Sequence, residues 1–305
     1  MAVTRISDII VPEIFAPYVI QRTADKSALW QSGLIVQNEE TNRIANGGGT
    51  TANMPFFNDL TGTSEVLSET TPLSVNPIGA SKDICVINHR GKAWGANDLA
   101  KAKSGDDPMG AIGELVSTWW ARDMQTTLIN ILKGAFASTT MASEHVLNLS
   151  IADGNAATSA NLISSDATIN ALAKLGDALD AISAIAMHSD IYYALLRQDV
   201  IDFEQPSQQG EIIQRYKGRT VIVDDALPKV AGATSGYVYS TYLFGAGAIG
   251  YGEGDPYDAA VETDRDVLQG DSYLVNRRCF VMHPLGVKWQ GTAAGASPSN
   301  AEFAI

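Results

Sequence analysis

The sequence has few cysteines, few basic residues for its length and no long apolar run. Its two cysteines, Cys85 and Cys279, lie far apart in apolar, strand-like stretches, and neither belongs to a Cys-x-x-Cys pair of the kind found in metal and redox sites. This pattern predicts two buried, reduced thiols in a protein that folds in the cytosol.

Apolar segments long enough to cross a membrane are missing. The first apolar stretch, residues 9–20, is interrupted by Pro12, Glu13 and Pro17, which is unlike a secretory signal peptide. No run approaches the roughly 18 apolar residues that a membrane-spanning helix needs. We therefore expect a soluble product that has no membrane partner.

Positive charge is scarce, since 21 basic residues stand against 34 acidic ones and the net charge is −13. A field of this sign repels phosphate backbones and disfavours tight, sequence-specific binding of nucleic acid. It does not exclude loose packing around a polyanion.

Patterns for metal binding or catalysis are absent too. The four histidines are isolated, and the acidic residues between 253 and 266 lack the spacing of a calcium loop, so we interpret them as a solvated loop and the outward face of a strand. The adjacent residues His188, Ser189 and Asp190 cannot make the contacts of a catalytic triad. They predict instead a helix start with Ser189 as N-cap. We expect no enzyme activity, no metal and no cofactor.

One stretch does suggest a cofactor. In "LFGAGAIGYGEG", residues 243–254, Gly245, Gly247 and Gly250 have the Gly-x-Gly-x-x-Gly spacing of a dinucleotide-binding turn. Such a turn must lead into a helix whose N-terminus meets the phosphates, whereas the glycines and Pro256 that follow exclude a helix. The run is therefore predicted to be a structural loop for close backbone approach, and a nucleotide-binding enzyme is the weaker alternative.

The order of predicted elements divides the chain into five parts. Two strand-like stretches flank a polar middle and predict a long β-hairpin, whose middle has too few apolar residues to bury itself. The last predicted strands of the chain need partner strands from an earlier segment, so the α/β lobe between the two segments is predicted to be an insertion. The parts are an N-terminal arm (1–45), an extended β-hairpin loop (46–97), a domain in two segments (98–165 and 259–290), an inserted α/β lobe (166–258) and a flexible C-terminal tail (291–305).

The clearest element is a helix over residues 107–137, with Asp107 as N-cap and Pro108 in its first turn. Apolar residues recur every three or four positions and charges are few, which predicts a helix that is covered along most of its length. Its two adjacent tryptophans are expected to be buried on opposed sides. The predicted core residues of this helix are Ile112, Val116, Trp119, Trp120, Met124 and Leu128.

Several apolar residues of the arm and of the extended loop have no predicted partner in their own chain. We expect them to be buried between copies of the protein. These candidates for inter-subunit contact are Ile14, Phe15, Tyr18, Phe56, Phe57, Val66 and Leu67.

This order of parts, together with an ordered series of local stretches, resembles the major capsid proteins of tailed bacteriophages. The series covers roughly residues 11–289 and consists of "VPEIFAPYV", "MPFFNDLTGTSEVL", "RGKAWGANDLAKAKSGDDPMGAI", "AIAMHSDIYYALLRQDVI", "IIQRYKGRTVIVDDALP", "STYLFGAGAI", "VETDRD" and "VMHPLGVKW". The resemblance implies an α+β capsid fold, in which the two-segment domain is the peripheral domain and carries the long spine helix. The inserted lobe is then the axial domain, and the glycine run lies in it.

The resemblance also implies a structural function. Pentamers and hexamers of the chain would form an icosahedral shell around double-stranded DNA in the virion, after assembly in the cytoplasm of a host bacterium. Scaffolding, portal and decoration proteins are implied as further partners, and the DNA would be contacted non-specifically. An encapsulin-like compartment of the same fold is the nearest alternative.

Two features of that family are not matched. Some members start with a long charged scaffolding segment, whereas here the arm starts within ten residues of Met1, so a separate scaffold and a removed leader both stay open. Other members join a loop lysine covalently to an asparagine of a neighbour. Lys82 and Lys92 are the loop lysines here, but no pattern marks a partner, and we predict no cross-linking.

Overall fold

The computed structural model of the protein describes residues 33–304, apart from residue 71 and residues 105–106, 205–212 and 256–259. Within these bounds the strands form a six-stranded, a five-stranded and a two-stranded sheet. The arm candidates Ile14, Phe15 and Tyr18 lie outside the described residues.

The strands, in chain order, are β1 (Ile35–Gln37), β2 (Thr51–Phe57), β3 (Ala80–Asn97), β4 (Ile182–Met187), β5 (Asp202–Glu204), β6 (Ile213–Tyr216), β7 (Arg219–Val223), β8 (Lys229–Ala231), β9 (Tyr237–Tyr239), β10 (Tyr242–Gly245), β11 (Ile249–Gly254), β12 (Val261–Asp266) and β13 (Asp271–Pro284). The α-helices are α1 (Glu39–Ala45), α2 (Asp98–Ser104), α3 (Pro108–Ala137), α4 (Thr139–Glu144), α5 (Ser165–Ala173), α6 (Ser189–Arg197) and α7 (Asn300–Phe303).

The six-stranded sheet is built around β13. Its order is β1-β11-β13-β3-β2, and β12 pairs with the first part of β13. The long pairing of β13 with β3 is antiparallel, from Asp271 opposite Asn97 to Val281 opposite Ile87. Residues 278–283 are all buried, so this part of β13 is covered on both faces. Strands that follow the inserted lobe thus pair with a strand that precedes it.

The predicted long helix is α3, which begins at Pro108 after the N-cap Asp107 and continues for 30 residues. It crosses the six-stranded sheet and is about 45 Å long at 1.5 Å per residue. Among the predicted core residues, Ile112 and Trp119 are half-buried and pack against the core cluster. The others are buried, and these are Val116, Trp120, Met124 and Leu128.

The two tryptophans of α3 lie on one side of the helix, so the expectation of opposed sides was wrong. The Trp119 and Trp120 rings meet edge to face with centroids 5.0 Å apart, and the Trp94 ring of β3 lies 5.3 Å from Trp119. Adjacent residues on a helix differ by about 100°, which still fits within one broad apolar face. Both rings therefore pack toward the same sheet.

The glycine run serves close backbone approach, as predicted. The prediction of a loop was wrong for its second half, because residues from Ile249 onward form strand β11, and α1 lies across this strand. No helix directly follows Gly250, since the strand continues to Gly254. A Cβ atom on Gly252 would overlap the carbonyl oxygen of Thr41, and one on Gly254 would lie 2.6 Å from the carbonyl oxygen of Ala45. Glycines at every second position of β11 thus leave room for the helix backbone.

Replacing Gly252 with alanine is expected to destabilise the subunit by about 1–3 kcal/mol, because the new methyl group collides with helix backbone that cannot rotate away. Denaturant unfolding measures this cost. The matched control is Gly91→Ala in β3, where the nearest atom to the added Cβ would be 3.4 Å away. Equal stability of the two variants would show that α1 does not need the glycine.

Strand β11 also carries a buried ion pair that the sequence interpretation missed. Glu253, expected in a solvated loop, accepts hydrogen bonds from Arg278 Nε (2.9 Å) and Nη2 (2.8 Å) and from the Tyr251 hydroxyl. Burial acts to lower the pKa of Arg278, but the charge of Glu253 and its neighbour Tyr251 outweigh this, and the pKa is raised. The Arg278 guanidinium lies 5.3 Å from the Trp120 ring centroid, which ties the pair to α3.

His283, near the end of β13, should make the subunit sensitive to acid. It is buried, and its Nε2 atom has no hydrogen-bond partner among the described residues. Burial lowers its pKa below the usual 6.5, against a smaller opposing effect of Asp83. The unfolded chain therefore binds a proton at a higher pH than the folded chain. The contribution of neutral His283 to the stability of the folded chain is complete above about pH 6.5 and is lost as the pH falls through the pKa of His283 in the folded state.

We expect His283→Gln to lose less thermal stability than the wild type between about pH 7.5 and about pH 5, since glutamine does not titrate. Parallel pH profiles of the two melting temperatures would contradict the assignment.

The inserted lobe is a smaller mixed unit with sheet order β10-β4-β7-β6-β5. Its helix α6 is capped by His188, whose Nδ1 accepts a hydrogen bond from the Asp190 backbone (3.1 Å), and not by Ser189 as predicted. The lobe also ends earlier than expected. Strand β11 belongs to the six-stranded sheet, because a turn with Gly247 at φ +69° leads the chain from one sheet to the other.

The last residues differ from the expected flexible tail. Residues 300–303 form α7, which packs on α3, and Phe303 is buried there. The side chains of Ser299 and Glu302 form a capping box that holds this short helix. The small residues of the tail suggested mobility, but these two caps and one aromatic anchor fix its end.

Candidate subunit-contact surface

The extended loop projects as a two-stranded hairpin, which confirms the predicted pairing. β2 and β3 run antiparallel from Thr51 opposite Val86 to Phe57 opposite Ala80. The Asn58 N–H donates to the Gly79 carbonyl (2.8 Å) and closes the ladder. We call residues 58–79 beyond this bond the loop tip; its described part contains no regular strand or helix.

The loop tip and the adjoining strand end expose apolar side chains. Val66 is 95% and Val75 92% exposed, and Leu67 is 80% exposed. Exposed apolar residues are normally scattered singly, and a cluster in one segment marks an interaction site. The exposed set comprises Phe56, Phe57, Leu60, Val66, Leu67, Leu73, Val75 and Ile78. The structure thus brings all four contact candidates of the loop to one projection.

Hydrogen bonds connect the two sides of the loop tip. Glu65 accepts from the Ser74 hydroxyl and from the Ser74 backbone (3.1 Å), and the Asn76 side chain donates to the Thr61 carbonyl (3.3 Å). The hydrogen bonds from Ser74 lower the pKa of Glu65. These contacts are polar and exposed, so they leave the apolar side chains without cover from the described residues of the chain.

A second exposed apolar pair lies at the turn between β12 and β13, and the sequence interpretation missed it. Val267 is 82% and Leu268 97% exposed. The turn is held by Asp266, whose side chain accepts from the Leu268 N–H (2.9 Å) and whose carbonyl accepts from the Gly270 N–H (2.9 Å). The signal was present in the sequence as two apolar residues within a tight polar turn, "RDVLQGD".

Features of other kinds of site are not found in the described part of the chain. No group of three or more His, Cys, Asp or Glu residues there is placed to hold a metal ion, and no helix there is long and apolar enough to cross a membrane. Cys85 and Cys279 are both buried free thiols, which confirms the prediction that they are buried and unpaired. Burial raises the pKa of Cys279 to about 11, so this thiol stays protonated at neutral pH.

Known proteins with this sequence pattern and fold are shell components. Residues 56–305 match the family model described as "Gp13-like: Major capsid protein 13-like". The major capsid protein of Bacillus phage SPP1 is 42% identical over 307 residues, which cover 100% of this chain and 92% of that protein.

Solved structures agree on the fold. The capsid of Ralstonia phage GP4 has a TM-score of 0.61 at 10% identity, covering 86% of this chain and 88% of its own. The capsid of cyanophage Pam1 has a TM-score of 0.57 at 13% identity, covering 86% and 89%. The chain therefore has the predicted α+β fold of tailed-phage capsid proteins.

Proposed function

The chain belongs to the Gp13-like family of major capsid proteins, and we propose that it builds a shell by laying the extended loop of one copy over a neighbouring copy. As a major capsid protein of a tailed phage, it is a structural component of the virion that assembles with itself. The exposed apolar side chains of the loop support it as the surface that makes these contacts.

The exposed apolar loop tip carries this proposal. Ordering a backbone residue costs roughly 1–2 kcal/mol, and the tip has few buried groups to offset that cost in its own chain. A neighbouring copy supplies the missing contacts when Val66, Leu67 and the phenylalanines at the strand end become covered. The Val267–Leu268 turn offers a second apolar contact of the same kind.

The family membership and the charge of the chain support a more detailed proposal for the assembly. We propose rings of five and six subunits, closed into an icosahedral shell around double-stranded DNA, with scaffolding and portal proteins as partners and assembly in the host cytoplasm. Residues 98–165 and the chain from β11 to residue 290 then form the peripheral domain, and the inserted lobe, which ends before β11, forms the axial domain. A net charge of −13 suits a container that must not hold its DNA tightly.

The alternatives are less well supported. A nucleotide-binding enzyme would need a helix N-terminus after the glycine run, and strand β11 stands there instead. An encapsulin-like compartment is disfavoured by the similarity to a phage major capsid protein along the whole chain. We infer a structural role without catalysis.

Gel filtration and electron microscopy of the purified protein test the proposed function. We expect rings or closed shells, alone or with a scaffolding protein. A protein that stays strictly monomeric at high concentration, under every tested salt and scaffold condition, would contradict it.

A further inference from the structure

The C-terminal segment, residues 286–304, runs back along the root of the extended loop. It follows β3 over residues 83–90, and part of this stretch, up to Val86, also pairs with β2. The segment is attached to β3 at successive positions. At the start of the segment, Gly286 N donates to Asp83 Oδ2 (3.1 Å) and Trp289 N donates to the Ile84 carbonyl (3.0 Å). Further along, Ser297 Oγ donates to the His89 carbonyl (3.2 Å), and Arg90 Nη2 of β3 donates to the Pro298 carbonyl.

The other end of the segment is fixed to α3. Thr127 of this helix donates to Asn300 Oδ1 (3.0 Å), and the same oxygen accepts from Arg90 of β3 (3.3 Å). Phe303 is buried in the main core, and its carbonyl oxygen occupies the place where a Cβ atom on residue 134 would stand, so Gly134 provides the space. One short segment thus joins the loop strand to the spine helix.

Arg90 is the central residue of this junction. Burial lowers its pKa, while Asp123 of α3 and Glu302 of the segment act in the opposite direction and favour its charged form. A half-buried guanidinium needs hydrogen-bond acceptors in fixed positions, and Pro298 and Asn300 supply them. Both hydrogen bonds leave the same nitrogen, Nη2, and lysine, with a compact, strongly hydrated charge on a flexible stem, replaces them only in part.

Because the junction lies at the base of the extended loop, a small rotation there displaces the loop tip by a larger distance. β2 has seven residues, which span about 23 Å at 3.3 Å per residue. A tilt of about 10° at the root would move the end of this ladder by roughly 4 Å, which is a full van der Waals contact distance. A loop that must lie on a neighbour therefore depends on how firmly its root is held.

We propose that residues 286–304 form a strap that sets the direction in which the extended loop leaves the subunit, with Arg90 as the positioning residue. The inference rests on the proposed function, since it assigns a control element to the same loop. The strap acts within one chain and is in place before copies meet. Assembly then requires the last residues of the chain even though they are far from the loop tip.

The first test compares Arg90→Met with Arg90→Lys and with the control Arg43→Met, which removes an exposed arginine of α1. We expect Arg90→Met to keep the near-ultraviolet circular dichroism of a folded subunit but to lower shell yield by about tenfold, the equilibrium change that one lost charge-assisted hydrogen bond produces. Trypsin should cleave faster after Lys82, which is exposed in β3 next to the residues that the segment contacts. Arg90→Lys should recover part of the yield, and Arg43→Met should match the wild type.

The second test deletes residues 297–305 and then adds a synthetic peptide of residues 292–305. We expect low shell yield from the deletion and recovery with the peptide. The inference fails if Arg90→Met and the deletion variant both form shells as well as the wild type does. It also fails if both variants unfold, because the segment would then be an ordinary part of the core. A wild type that forms no shells would instead contradict the proposed function.

Discussion

Replacing Trp120 with alanine is expected to lower the free energy of unfolding of the subunit by about 3–5 kcal/mol. The indole is completely buried between α3 and the six-stranded sheet, against Trp119 and beneath the Arg278 guanidinium. Its loss leaves a cavity in the main core and removes the aromatic face that the buried arginine contacts. Denaturant unfolding of the isolated subunit measures the effect.

The matched control is Trp119→Ala, at the neighbouring position of the same helix. This ring is only half-buried, so its removal should cost clearly less. An equal cost of both substitutions, or a loss under about 1 kcal/mol for Trp120, would contradict the described packing of the spine helix.

The double substitution Val66→Asp and Leu67→Asp is expected to abolish shell formation while the subunit stays folded. Both side chains are exposed in the single chain, where a polar replacement changes stability by no more than about 0.5 kcal/mol. In the assembled shell the same carboxylates would be buried without partners, at a cost of several kcal/mol per contact. Because each contact recurs in every copy, even a small cost per subunit prevents closure.

The paired variant Val66→Ile with Leu67→Met keeps both side chains apolar and should assemble normally. Circular dichroism and melting temperature establish that the aspartate variant is folded, and electron microscopy counts shells. Wild-type shell yield from the aspartate variant would show that the loop tip is not a contact surface.

The spine helix and the hairpin could be predicted from the sequence because their signals are local. The Asp107–Pro108 start and the recurrence of apolar residues define α3, and the strands that flank the polar loop middle define β2 and β3. The exposed loop residues were also within reach, since a stretch that is poor in apolar residues cannot cover the few that it has.

The remaining features depend on partners that are distant in the sequence. Glu253 looked like a loop residue because its partner Arg278 lies 25 positions later. The strap looked like a flexible tail because Asn300 meets Arg90, 210 positions away, and Thr127, 173 positions away. Local propensity contains no information on such pairs, and only the folded chain reveals them.

Limited proteolysis of the loop tip, compared between free subunits and assembled shells, tests the central claim most directly. A protease that cleaves after glutamate has two exposed sites there, Glu65 and Glu69. If a neighbouring copy covers the loop, cleavage at both sites should be fast in the free subunit and strongly slowed in the shell. Equal cleavage rates in the two states would contradict the overlap of subunits through this loop.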